Sequence, residues 1–246
     1  MWERSLFERL FKVAGMNPCM LNVQHRMAES VACWPSSHFY HSKLHSHSRL
    51  RRLRPTISGF PWANGSGLAF VQVAGEEELV GNSVCNFHQV ETTVRIIKTI
   101  LSYKGIACSE ISVLTPYDAQ RTSLQDELES ECKKGLVIET VDSAQGSENK
   151  LILLCTVRCN TTGALGFVKS DRRLNVGMTR AMNGCIIIGD MYTLCNKDPE
   201  DCWISCISHI SESGSLFSDR LEQISMPRQI WNADKSLESR EQSGMN

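Results

Sequence analysis

Apolar residues along the chain fall into two alternating patterns. Runs of successive apolar positions occur at 68–73, 111–114, 136–141, 151–157 and 185–188. Runs without polar alternation suit strands buried on both faces, as in a parallel sheet. Between them, apolar residues at helical spacing predict helices over 87–103, 117–133 and 171–182, with Asp171 as candidate N-cap of the last. Upstream, the spacing of Leu6, Phe7, Leu10 and Phe11 predicts an amphipathic helix over 5–13, followed by a short apolar run at 19–21 and a helix over 28–40. Strand, helix and strand in repeated succession imply right-handed crossovers and an α/β, doubly wound, mostly parallel sheet flanked by helices.

Two stretches break the pattern. Residues 41–67 are rich in Ser, His, Arg, Gly and Pro and read as a long connection. From 214 onward the chain is polar with scattered apolar residues, which predicts a loosely held or disordered tail over 214–246 behind one domain over 1–213. The 246 residues, 41% hydrophobic, suffice for a sizeable core. With 26 Lys and Arg against 27 Asp and Glu, no strongly basic domain is present, so any polyanion site depends on local charge placement. One such place is 30–75, which lacks Asp and Glu but carries Lys43, Arg49, Arg51, Arg52, Arg54 and four histidines. It reads either as a strand-steering basic connection or as a solvated loop.

Charges interrupt the apolar residues at the N-terminus, and no apolar run approaches the ~18 residues of a membrane span. A soluble chain with no membrane partner is expected. Eleven cysteines, an odd number, with Cys155 and Cys185 inside apolar runs, suit buried thiols in a reducing compartment, cytoplasmic or nuclear. The spacings Cys155/Cys159 and Cys202/Cys206 stand without any CxxC or HExxH, so no metal site is assigned.

An α/β sheet invites a search for phosphate-cradling loops. The P-loop pattern is missing, since Gly-Lys does not occur anywhere, and neither G-x-G-x-x-G nor G-x-S-x-G is present. Four polar constellations do occur at the ends of the predicted strands: LNVQHRM at 21–27, LTPYDAQR at 114–121, ETVDSAQGSE at 139–148 and RRLNVGMTRA at 172–181. Ligands sit at strand ends in open α/β sheets, so the four are expected along one edge. Arg173, Gly177 and Arg180 are spaced i, i+4, i+7, which predicts one shared helical face, with the glycine leaving room for close approach. Gly146 permits a turn that a side chain would block. Tyr117 can stack on a base or pack against the sheet.

In this order, these stretches resemble the second RecA-like domain of superfamily 1 helicases, in the group containing the nonsense-mediated-decay helicase and senataxin. The resemblance runs from residue 5 to residue 195 and rests on SLFERL, LNVQHRM, LTPYDAQR, ETVDSAQGSE with LILLCTVR, GFVKSDRRLNVGMTRA and CIIIGD. It implies a RecA-like domain without its own P-loop. Such a domain shares ATP and Mg2+ with a first RecA-like domain, in cis or in trans, that carries the P-loop and the magnesium ligands. By the same resemblance Arg26 and Arg180 are the arginines that reach the phosphates, and Gln24, Gln145, Gly146, Glu148 and Arg173 contact the nucleotide. Thr115, Pro116, Tyr117, Gln120, Arg121, Thr140, Val141 and Asp142 are implied to contact single-stranded RNA or DNA. His25, Ala144 and Gly177-Met178 depart from the family's usual Tyr, aromatic and Ala-Leu. The implied function is the C-terminal half of an ATP-dependent helicase moving toward the 3′ end. The alternative is a non-catalytic nucleic-acid- or partner-binding module derived from one.

Overall fold

The computed structural model describes residues 5–50, 57–63, 65–196, 202–227 and 230. Its elements in chain order are α1 (Leu6–Lys12), β1 (Val23–Gln24), α2 (Glu29–Tyr40), β2 (His45–Ser46), β3 (Leu68–Gln72), β4 (Glu78–Val80), β5 (Ser83–Cys85) and α3 (Phe87–Ser102). There follow β6 (Ile111–Thr115), α4 (Asp118–Glu127), α5 (Glu129–Cys132), β7 (Val137–Thr140), β8 (Asn149–Cys155), α6 (Asp171–Met178), β9 (Ala181–Gly189), α7 (Met191–Leu194), α8 (Cys202–Glu212) and β10 (Leu216–Phe217).

Six strands form one parallel sheet in the order β10-β3-β9-β8-β6-β7, so the α/β reading holds. The unbroken apolar runs are explained by what lies on either side. Along β8, Ile152 and Leu154 face a layer with Val31 and Trp34 of α2, Leu174 and Met178 of α6, and Trp203 and Ile207 of α8. Leu151 and Leu153 face the opposite layer, with Ile96, Ile97 and Ile100 of α3 and Leu124 of α4. Alternation therefore exists, but between two apolar layers rather than between core and water. Among the described residues no helix is long and apolar enough to cross a membrane.

Several sequence expectations are corrected. The run at 19–21 forms no strand; the only pairing nearby is the two-residue β1 with β2. The helix expected over 117–133 breaks at Leu128, whose φ of −115° and ψ of 26° leave the helical region, giving α4 and α5. The helix expected over 171–182 ends at Met178, and its N-cap is Ser170, whose hydroxyl accepts from Arg173 N, rather than Asp171. The connection over 41–67 is pinned rather than loose where it is described: Leu50, Ile57 and Phe60 are buried, and Trp62 donates to Ile57 O at 3.0 Å. Residues 51–56, with Arg51, Arg52 and Arg54 of the basic stretch, lie outside the described residues. The tail expectation fails for 215–226, because β10 adds to the sheet beside β3 with Leu216 and Phe217 buried, and Met226 packs into the first core layer. Its small apolar content closes an edge of the sheet, which hydropathy over a window does not reveal. Residues 231–246 of that tail lie outside the described residues.

Candidate nucleotide edge and groove

The register of the parallel strands fixes where the four constellations go. Thr115 and Thr140 are paired last residues of β6 and β7, whereas Asn149 and Ala181 are paired first residues of β8 and β9. The chain from 141 to 148 and helix α6 each run from the carboxyl ends of the strands back to the amino ends. Both cross the same face, where Val141, Ala144, Leu174 and Met178 enter one core layer. The constellations therefore do not line one edge. They divide between a cluster at the amino ends of β8 and β9 and a groove at the carboxyl ends of β6 and β7.

The amino-end cluster gathers Arg26, Glu148 and Arg180. Gln24 spends its amide locally: Oε1 accepts from Arg26 N and Met27 N at 2.9 and 2.8 Å, while Nε2 donates to Met27 O and Ser46 Oγ at 2.7 and 2.6 Å. This closes a turn that projects the Arg26 side chain. Arg26 Nε meets Glu148 Oε2 at 2.5 Å and Nη1 donates to Thr179 O at 3.0 Å. Arg180 donates from Nε to Val176 O at 3.1 Å and from Nη1 to Ser147 O at 3.2 Å. Burial, and next the charge of Arg26, hold the Arg180 guanidinium below its ordinary proton affinity. Beside it Gln145 and Gly146 are exposed, Gly146 at φ +97° with open space where a Cβ would stand. The face expected for Arg173, Gly177 and Arg180 is not formed. Arg180 follows the helix end, and Gly177 is buried with its Cβ position 3.2 Å from Leu154 Cδ1, so its missing side chain serves helix-on-sheet packing.

The carboxyl-end groove has a volume of about 1110 Å³, and its walls include Pro116, Tyr117, Asp118, Thr140, Asp142 and Phe167. Of the residues expected to touch nucleic acid, Pro116, Tyr117, Thr140 and Asp142 reach it. The side chains of Thr115, Gln120 and Val141 are buried, which corrects their expected contact role. Gln120 Oε1 instead accepts from Asn86 N at 2.8 Å. Tyr117 takes the packing option: its ring meets Phe167 edge-on at 5.5 Å, and its hydroxyl accepts from Arg158 Nη1 at 3.2 Å. Arg121 turns along α4 to Asp118 and Gln125. Arg173, expected on the nucleotide, stands instead at this end of α6, where Nε and Nη2 grip Asp142 Oδ1 and Oδ2 at 2.9 and 3.0 Å.

Sequence reading missed Arg158 and Glu77, whose half-buried ion pair at 2.9 Å fixes the groove floor. It also missed the β4–β5 hairpin, which supplies Val80, Asn82, Ser83 and Val84 to the groove wall. The signal was present in LVGNSV, where Gly-Asn separates short apolar pairs. The cysteines behave as core: burial pushes the Cys155 and Cys185 thiols up to about 12. Among the described residues no three His, Cys, Asp or Glu side chains group as metal ligands.

A model of the family described as an AAA domain matches residues 2–192. The chain belongs to this AAA domain family. The chain is also 32% identical over 245 residues to a regulator of nonsense transcripts 1 homolog of Arabidopsis thaliana, covering 93% of this chain and 19% of that protein. It is 32% identical over 233 residues to the ATP-dependent helicase NAM7 of Saccharomyces cerevisiae, covering 91% and 24%. To the 3′-5′ exoribonuclease HELZ2 of Homo sapiens it is 34% identical over 209 residues, covering 76% and 7%. The chain thus spans a quarter or less of the length of these relatives. The matched span of the AAA domain contains both the amino-end cluster and the groove, and stops short of α8 and β10.

Proposed function

We propose that this AAA domain is the second RecA-like half of an ATP-dependent helicase, completing an ATP site with a P-loop-bearing first domain in cis or in trans. The observation that carries the reading is the convergence of Arg26 and Arg180 at the amino ends of β8 and β9. Two guanidiniums near enough to disfavour each other's charge gain most from an anion placed before them. Their planar forks suit phosphate oxygens, and a cation introduced from a facing surface stabilises charge that builds up during phosphoryl transfer. ATP with Mg2+ is the group implied, and the ion's ligands are assigned to the first domain. On this side Arg26 and Arg180 hold phosphate oxygens, while the exposed turn at Gln145 and Gly146, with Glu148, meets the ribose. Arg173 is not included, since Asp142 engages it at the other end of α6. Single-stranded RNA or DNA is assigned to the groove, through Pro116, Thr140 and the rim at Asp142.

Both arginines are satisfied by protein partners, which favours a second reading, a non-catalytic nucleic-acid- or partner-binding module. One assay separates the two. ATP turnover is measured for the chain alone, for the chain fused to the first RecA-like domain of a related helicase, and for that fusion with Arg180→Ala. Turnover only in the fusion, lost with Arg180→Ala, is expected. Turnover by the chain alone, or a fusion indifferent to Arg180→Ala, overturns the reading.

A further inference from the structure

The groove is poorly suited to a polyanion as it stands. Its walls carry the carboxylates of Asp118, Asp126 and Asp142, and among the described lining residues the cation, Arg158, is already paired with Glu77. Arg121 and Arg173 nearby are also paired, with Asp118 and Asp142. A strand phosphate entering the groove must therefore displace a carboxylate from one of these guanidiniums.

The three pairs differ sharply in what release would cost. The side chains of Arg158 and Glu77 are 14% and 17% exposed, so parting them strands a carboxylate away from water. Arg121 shares its helix with both of its partners and is not part of the groove wall. Arg173 and Asp142 are 33% and 68% exposed, so Asp142 rehydrates at once when the pair opens. Arg173 is also aimed correctly. Its guanidinium lies 5.1 Å above the ring of Phe167, which lines the groove, and its two-pronged grip on Asp142 is the geometry that would grip a phosphate.

We propose that Arg173 is a strand-phosphate site of the groove and that Asp142 is its latch, occupying the guanidinium fork until a nucleic-acid phosphate replaces the carboxylate. The proposal rests on the strand-binding part of the function above. It reverses the sign expected of Asp142, which acts as a competitor of the strand and not as its ligand.

The test is a titration of a fluorescein-labelled oligouridine with the whole chain, read by anisotropy at low and moderate salt. Asp142→Asn is expected to tighten binding about two- to fivefold, the strength of an exposed ion pair expressed as an affinity ratio. The slope of log affinity against log salt should steepen by roughly 0.7, one further phosphate contact on a single strand. Arg173→Gln should weaken binding, and Asp142→Asn should add nothing in its presence. Because the pair is exposed, circular dichroism and melting of both variants should match the parent. Weaker or unchanged binding by Asp142→Asn, or a gain that persists with Arg173→Gln, overturns the latch alone. Absence of binding by the parent and every variant overturns the strand-binding function and the latch with it.

Discussion

Arg26 and Glu148 stand 122 positions apart in the chain and meet as an ion pair at 2.5 Å. The contact joins the turn made by Gln24 to the segment that enters β8, and Thr179 O, accepting from Arg26 Nη1, brings the end of α6 to the same point. The pair is 30% and 49% exposed, so it is a device for orientation more than for stability.

Glu148→Gln should therefore leave the free energy of unfolding within about 1 kcal/mol of the parent, measured by urea titration. In the fusion with a P-loop domain it should lower ATP turnover, because Arg26 loses the partner that aims it. The loss should be smaller than that from Arg180→Ala, for which ~10³ is expected. Equal losses would mean that Glu148 acts on the nucleotide directly.

Gly166 tests the groove. Its φ is +56°, and a Cβ there would stand 2.5 Å from the Tyr117 hydroxyl and 2.8 Å from Arg158 Nη1. Gly166→Ala combines a left-handed backbone cost of ~1–2 kcal/mol with displacement of both side chains. A loss of ~2 kcal/mol or more in urea unfolding is expected, together with weaker oligonucleotide binding. A variant of unchanged stability would show that the 159–170 segment yields without cost.

The order of strands and helices was legible because each parallel strand is apolar on both faces and each crossover is amphipathic. The sites were legible only in part. Arg26, Glu148 and Arg180 could be picked out by residue type, and the structure does gather them. Their distribution was not legible, because it follows from direction: 141–148 and α6 carry each motif from one end of the sheet to the other, so Asp142 and Glu148 serve different places. Arg173 was misplaced for the same reason, lying nearly a full helix length from Arg180. Burial of Thr115 and Gln120 escaped notice because a polar side chain in a strand-to-helix turn looks the same whether it meets solvent or a buried amide.

Asn86 shows how a buried polar group fixes the groove from behind. Its Oδ1 caps α3 by accepting from Gln89 N at 3.0 Å, and Nδ2 donates to Gly75 O and Val157 O at 2.7 and 3.1 Å. Val157, at φ +69°, is a β-branched residue in left-handed conformation, held also by its N–H donating to Gln89 Oε1 at 2.8 Å. Asn86→Ala removes a cap worth about 1 kcal/mol and leaves buried carbonyls without donors, each costing ~1–3 kcal/mol. Relaxation of Val157 offsets part of this. A net loss of ~2–4 kcal/mol in urea unfolding is expected, and a loss below about 1 kcal/mol would mean that water enters to replace the amide.

Two half-buried histidines make stability depend on pH between neutral and mildly acidic conditions. His38 stacks on Trp34 with ring centroids 4.8 Å apart, and burial lowers its pKa from the ordinary 6.5, with Asp171 opposing the shift in part. Burial lowers His209 in the same way, opposed by Glu212. In both, the folded state prefers the neutral ring, so the unfolded chain takes up protons first as pH falls. Stability from these sites is complete above the unfolded pKa near 6.5 and is lost as pH drops toward the lowered folded values. The carboxylate of Glu110, held below its ordinary value of 4.5 by the Ala107 N–H and by Lys150, acts in a separate and more acidic window. The melting temperature of the parent should therefore fall between pH 7.5 and pH 5.5, a range chosen around the ordinary histidine pKa of ~6.5. In His38→Gln/His209→Gln the starting value should be lower and the fall shallower. A parent that gains stability on acidification across that range, or a double variant that keeps the full slope, would refute the assignment of this dependence to the two rings.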